Sequence, residues 1–114
     1  MNSYKNCNLH LSGKIVVSPL KIIKVIDLKN VVLVLIEEST KFNKQIPSNL
    51  FLYNSSGEKI WEAELPKEMS YSTYEPEYYY SIYFENNELS AYSDRWFCIL
   101  DIVNGKIKSM YPNK

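Results

Sequence analysis

The sequence predicts an all-β protein: an antiparallel up-and-down meander of about eight short strands, folded as a pair of sheets or a small β-sandwich. Three observations predict it. Asn49–Trp61 reads as strand, four-residue turn (Asn54-Ser55-Ser56-Gly57) and returning strand. Val31–Ile36 is an unbroken apolar run of six residues, rich in β-branched side chains and too short for a buried helix. Asn86-Asn87 and Asn104-Gly105 are turn pairs set between alternating segments, and no stretch shows a clear helical period.

The elements follow in order. Residues 1–13 are polar and end at Ser12-Gly13, which predicts a loosely ordered lead-in with a short strand near Leu9–Leu11. Ile15–Val17 is a brief β-branched strand stopped by Pro19. Ser18-Pro19 would also suit a helix start. Ile22, Ile23, Val25 and Ile26 lose rotamer freedom in a helix, however, so Leu20–Leu28 is read as strand. Leu20, Ile22, Ile26 and Leu28 then share one face, interrupted only by Lys24. Asp27–Asn30 turns the chain. Val31–Ile36, apolar on both faces, should be a central strand. Residues 39–48 form a polar loop closing at Pro47.

In the hairpin that follows, Gly57 takes the positive φ of the turn. Trp61 packs inward against Leu50 or Leu52 and needs a partner for its indole N–H. Residues 64–77 are a long connection with two prolines and four glutamates. Tyr78–Phe84 is a strand with Tyr78, Tyr80, Ile82 and Phe84 on one face and Tyr79, Ser81 and Tyr83 on the other. Asn86-Asn87 turns it into Glu88–Ser93, with Leu89 and Ala91 in and Ser90 and Tyr92 out. Trp96–Ile102 places Trp96, Cys98, Leu100 and Ile102 inward, and a hairpin at Asn104-Gly105 leads into Lys106–Met110.

A chain of 114 residues fits one domain, residues 1–114. Its 46% apolar and 23% charged residues are those of an ordinary globular protein. No run approaches the roughly 18 apolar residues of a membrane span, so no membrane association is expected. The N-terminus has no secretory pattern, and Cys7 and Cys98 stand far apart. Free thiols in a reducing cytoplasm are therefore expected.

Formal net charge is zero but unevenly distributed. Residues 1–48 carry seven lysines against three acids, residues 49–94 nine acids against two lysines, and residues 95–114 four cations against one acid. An acidic middle third that is also rich in tyrosine suits a basic protein partner, because tyrosine anchors interfaces and carboxylates attract a cationic surface. It argues against direct nucleic-acid binding, since carboxylates repel phosphate. His10, the one histidine, has no acid beside it in sequence and no nucleophile to serve. Cys7 and His10 fall short of the four ligands of a structural zinc. Glu75 and Glu77 flank Pro76 as turn carboxylates, and Cys98 alternates with core residues. No catalytic constellation, metal site or cofactor motif emerges, and no enzyme activity is expected.

The hairpin Leu52–Trp61, with a glycine turn and a tryptophan four residues past the glycine, resembles the repeat of quinoprotein-like β-propellers. A second copy falls 48 residues later, where Phe51, Leu52 and Gly57 align with Ile99, Leu100 and Gly105 and Ser109 replaces the tryptophan. That resemblance implies propeller-blade-like sheets. The chain from Lys24 to Ile107, about 80 of the 114 residues, is also similar, through the hairpins Val25–Ile36, Leu52–Trp61 and Tyr83–Tyr92 and the Asp101–Ile107 turn, to short bacterial proteins encoded beside polymorphic or contact-dependent growth-inhibition toxins. The second resemblance implies an immunity protein that neutralises a cognate toxin domain, a basic nuclease, by covering its active or substrate-binding surface as a monomer in a heterodimer. The expected contact residues are Tyr74, Glu75, Glu77, Tyr79, Tyr83, Glu85, Asp94 and Trp96. The alternative is a structural module that adds strands to a larger assembly.

Overall fold

The computed structural model describes residues 3–11, 13–37, 47–66 and 77–113. Within them lie eleven strands, no helix, and three antiparallel sheets. The first sheet is β1 (Ser3–Lys5), β2 (Asn8–Leu11) and β3 (Lys14–Val17). The second is β4 (Ile22–Leu28), β5 (Val31–Ile36), β6 (Leu50–Asn54) and β7 (Lys59–Glu62). The third is β8 (Ser81–Glu85), β9 (Glu88–Tyr92), β10 (Trp96–Leu100) and β11 (Ile107–Pro112). Strands follow chain order in every sheet, so each is a small meander.

The second sheet is the middle layer. Its alternation sends Val32, Val34, Ile36, Phe51 and Tyr53 toward Leu9 and Leu11 of the first sheet. Leu33, Leu35, Leu50, Leu52 and Trp61 go the other way, toward Ile82, Leu89, Ala91, Cys98 and Leu100 of the third. This explains why β5 is apolar at every position: both of its faces are covered. Each of these buried aliphatic side chains contributes about 1.5–3 kcal/mol.

Several expectations need correction. The lead-in is not loose: Leu9 and Leu11 are each 1% exposed and close a core of their own. A third sheet therefore joins the predicted pair. In β4 the register shifts between Ile22 and Lys24, which turns Ile22 toward the first sheet while Ile26 and Leu28 pack toward the third. The strand predicted from Tyr78 begins at Ser81, because Tyr79 and Ile82 both point into the core. Tyr80, predicted to share a face with Ile82 and Phe84, is half exposed, whereas Ile82 is fully buried.

The last hairpin is longer than a two-residue Asn-Gly turn. Asp101 accepts Gly105 N–H (2.7 Å) on its carbonyl and Val103 N–H (2.8 Å) on its carboxylate. Asn54 organises the earlier turn similarly, taking Gly57 N–H at 3.1 Å on its carbonyl and Ser56 N–H at 2.9 Å on its side chain. The Asn86-Asn87 turn has the expected left-handed pair, φ 52° and 62°.

The sheets are latched by one recurring device. Gly57, in the last turn of the second sheet, sits over Val16 of β3; a Cβ there would lie 3.1 Å from Val16 Cγ2. Gly105, in the last turn of the third sheet, sits over the Trp61 ring of β7. The indole N–H donates to Ile102 O at 2.9 Å, which supplies the partner that buried Trp61 required. The recurrence visible in the sequence is thus a recurrence of docking, with glycine needed for close approach as well as for positive φ.

Candidate functional site

Stacking three sheets leaves two faces open, one at each end. On the open face of the third sheet the alternation that buries Ile82, Leu89, Ala91 and Cys98 turns Tyr83, Tyr92, Phe97 and Tyr111 outward. Phe97 stands opposite Tyr92 on one side and Tyr111 on the other. The result is an aromatic row across all four strands. Tyr83 meets Tyr92 edge to face (centroids 5.7 Å), Tyr92 stacks on Phe97 (4.8 Å), and Phe97 stacks on Tyr111 (5.9 Å). Tyr83 and Tyr111, at the ends, are 54% and 51% exposed.

The geometry decides what such a row can do. The interior rings press their flat faces on each other, so those faces are closed to a nucleobase or a sugar ring. What reaches solvent is a ridge of ring edges and phenol hydroxyls, a shape that suits packing against another protein surface. Lys24 of β4 borders the ridge. Its ammonium donates to Ile82 O at 2.8 Å and lies 4.7 Å from the Tyr83 ring centroid. Beyond Tyr83, Glu85 and Glu88 pair directly across the β8–β9 turn, both exposed. Like charges in that position destabilise a hairpin, and a cationic partner would relieve them. Lys24, Tyr83, Glu85, Asn86, Glu88 and Tyr92 line an open cleft of about 620 Å³.

The predicted contact residues are only partly brought together. Tyr83 and Glu85 lie on this face. Asp94 is exposed, but in the turn at the opposite end of the sheet. Tyr74 and Glu75 lie outside the described residues. Tyr79 must be withdrawn as a contact: it is fully buried, and its hydroxyl donates to Glu64 O at 2.6 Å. Trp96 turns toward the core beside Cys98 and is only partly exposed.

Glu77 is a structural latch. Its carboxylate accepts the Ser93 hydroxyl (2.8 Å), Arg95 N–H (3.0 Å) and the Arg95 guanidinium. Burial pushes that carboxyl up, but the hydrogen bonds from Arg95 and Ser93 outweigh it and hold it below its ordinary 4.5. A depressed folded-state pKa stabilises above the unfolded value and loses that contribution as pH falls through the folded one. The melting temperature should therefore fall as the pH drops below about 4.5, and Glu77→Gln should flatten that acid limb. An unchanged limb would place the acid sensitivity elsewhere.

Cys98 is fully buried, with its thiol pushed up to about 11 by desolvation. It is a packing group rather than a nucleophile. His10 is exposed, and among the described residues no group of three or more His, Cys, Asp or Glu could hold a metal ion. Tyr92, Phe97 and Tyr111 were missed as candidates. Alternation placed Tyr92 outward, but the row exists only once the strand pairing is known.

The chain belongs to the family of the domain of unknown function DUF7957, whose model matches residues 1–111. No curated protein and no solved structure matches it.

Proposed function

We propose that this chain is a non-catalytic protein-binding module: a cytoplasmic immunity protein that covers a basic, nuclease-type toxin domain with the open face of its third sheet. The supporting observation is the aromatic row Tyr83-Tyr92-Phe97-Tyr111, bordered by the Glu85–Glu88 pair. An exposed apolar ridge beside two carboxylates that face each other adds little to the chain's own stability and suits a cationic partner. Inhibition is then steric, with the acids steering encounter.

The test is co-expression with the toxin domain encoded beside the gene, scored by growth. The chain should rescue growth, and Tyr83→Ala with Tyr111→Ala, both at exposed positions, should abolish rescue while leaving the melting temperature within about 2 °C of the parent. Association should slow as salt rises. Toxicity that the parent chain does not relieve, or full rescue by the double variant, would overturn the reading. The strand-adding alternative is less well supported, because Lys24 covers the Ile82 carbonyl on the edge strand β8.

A further inference from the structure

The second open face lies on the first sheet, and it complements the one just described. Leu9, Leu11 and Val16 point into the stack, so their neighbours in the ladder, Lys5, Asn8, His10, Ile15 and Val17, point out. Ile15 is 60% and Val17 71% exposed, an apolar pair on the edge strand β3. Lys5 shares that face and exposed Lys14 borders it on β3, while none of the three strands carries an acid. One end of the stack is thus aliphatic and bears lysine but no acid on its strands, and the other is aromatic, with Glu85 and Glu88 at one corner and Lys24 beside Tyr83.

The latch between sheets shows how such faces fit. At both internal junctions the glycine in the final turn of one sheet sits over the last strand of the sheet before it, Gly57 over Val16 and Gly105 over Trp61. Gly13 occupies the corresponding turn of the first sheet with φ +85°, the same as Gly57, yet nothing lies within 4 Å of where its Cβ would be. On the last strand of the third sheet, β11, Ser109 lies four residues past Gly105, as Trp61 lies four past Gly57 and Val16 three past Gly13. Ser109 pairs with Ile99 on the open face. One half of a latch is therefore unused at each end of the molecule.

We infer that two copies of this chain associate head to tail, the first sheet of each docking on the aromatic face of the third sheet of the other, with Gly13 over Ser109. The inference rests on reading that aromatic face as an interface, and it adds a regulator of it: a second copy competes with the toxin. Two copies of three sheets make six, within the range of roughly four to eight at which rings of stacked meanders close. A symmetric pair then forms both junctions at once and leaves no end free.

Sedimentation of the full chain against concentration tests this, with Val17→Glu on one face and Tyr111→Glu on the other. The parent should reach twice the 13.4 kDa chain mass and no more. Each variant alone, folded by circular dichroism, should stay at the single-chain mass. An equimolar mixture restores one of the two junctions and should re-form the dimer with weaker affinity. A monomeric parent, mass growing past the dimer, a variant that still dimerises alone, or a mixture no more associated than its parts would each overturn the inference. Val17→Glu should still rescue growth from the toxin, so loss of dimerisation and loss of immunity are read separately.

Discussion

Gly105→Ala is expected to destabilise the protein by about 2–5 kcal/mol, against about 1–2 kcal/mol for Gly57→Ala. Both glycines have left-handed backbones, φ +75° and +85°, so both substitutions carry the same conformational penalty. They differ in what the new methyl meets. At Gly105 it would lie 2.5 Å from Trp61 Cε3 and 2.7 Å from Cδ2, inside any tolerable separation. The indole cannot withdraw, because its N–H is bonded to Ile102 O and its ring belongs to the core between the second and third sheets. At Gly57 the nearest atom is Val16 Cγ2 at 3.1 Å, on a partly exposed side chain that can yield. Urea unfolding of the two variants measures the difference directly. Equal losses would show that backbone strain alone accounts for both, and that Trp61 does not hold the third sheet in place.

The glycines also show how much of the fold the sequence discloses. Their spacing, with the apolar pairs before them, locates the turns and the recurring unit, since both are local properties of the chain. The unbroken apolar run likewise marks β5 as a central strand, and alternation orients Leu89, Ala91, Cys98 and Leu100. What local pattern cannot carry is pairing at a distance. The first sheet looked like a loose tail because its strands are three and four residues long, and its two leucines acquire meaning only against Val32 and Val34. The bulge in β4 flips Ile22 without any proline or glycine to announce it. Tyrosine count singled out the stretch that supplies Tyr83 and Tyr92, yet Tyr79 went inside, and the row was completed by Phe97 and Tyr111 from strands outside the acidic stretch. Glu77 was legible as a charge but not as a latch, because Arg95 lies 18 residues away.

Asn49 is the second position where a large effect is expected, and nothing in the local pattern marks it. It is fully buried just before β6, and one side chain serves three backbone groups. Nδ2 donates to Ile36 O (2.9 Å) and Tyr79 O (2.7 Å), and Oδ1 accepts Tyr79 N–H (3.1 Å). Ile36 ends β5 and Tyr79 leads into β8, so this amide joins the second sheet to the third and fixes where the strand bearing Tyr83 begins. Asn49→Ala strands three buried polar groups at about 1–3 kcal/mol each, and with partial rehydration a loss of about 3–5 kcal/mol is expected. Asn49→Asp separates the hydrogen bonds from the packing. The carboxylate still accepts Tyr79 N–H but turns a charged oxygen on two carbonyls in a dry site, so its folded-state pKa should rise above the unfolded one. A raised value means that the deficit deepens as pH climbs through the unfolded pKa and lessens in acid, the opposite sign to Glu77. Asn49→Asp should therefore be less unstable at pH 4 than at pH 7, relative to the parent. Equal deficits at the two values would mean that water enters the site, and that packing around Tyr79, rather than this amide, holds the aromatic strand in register.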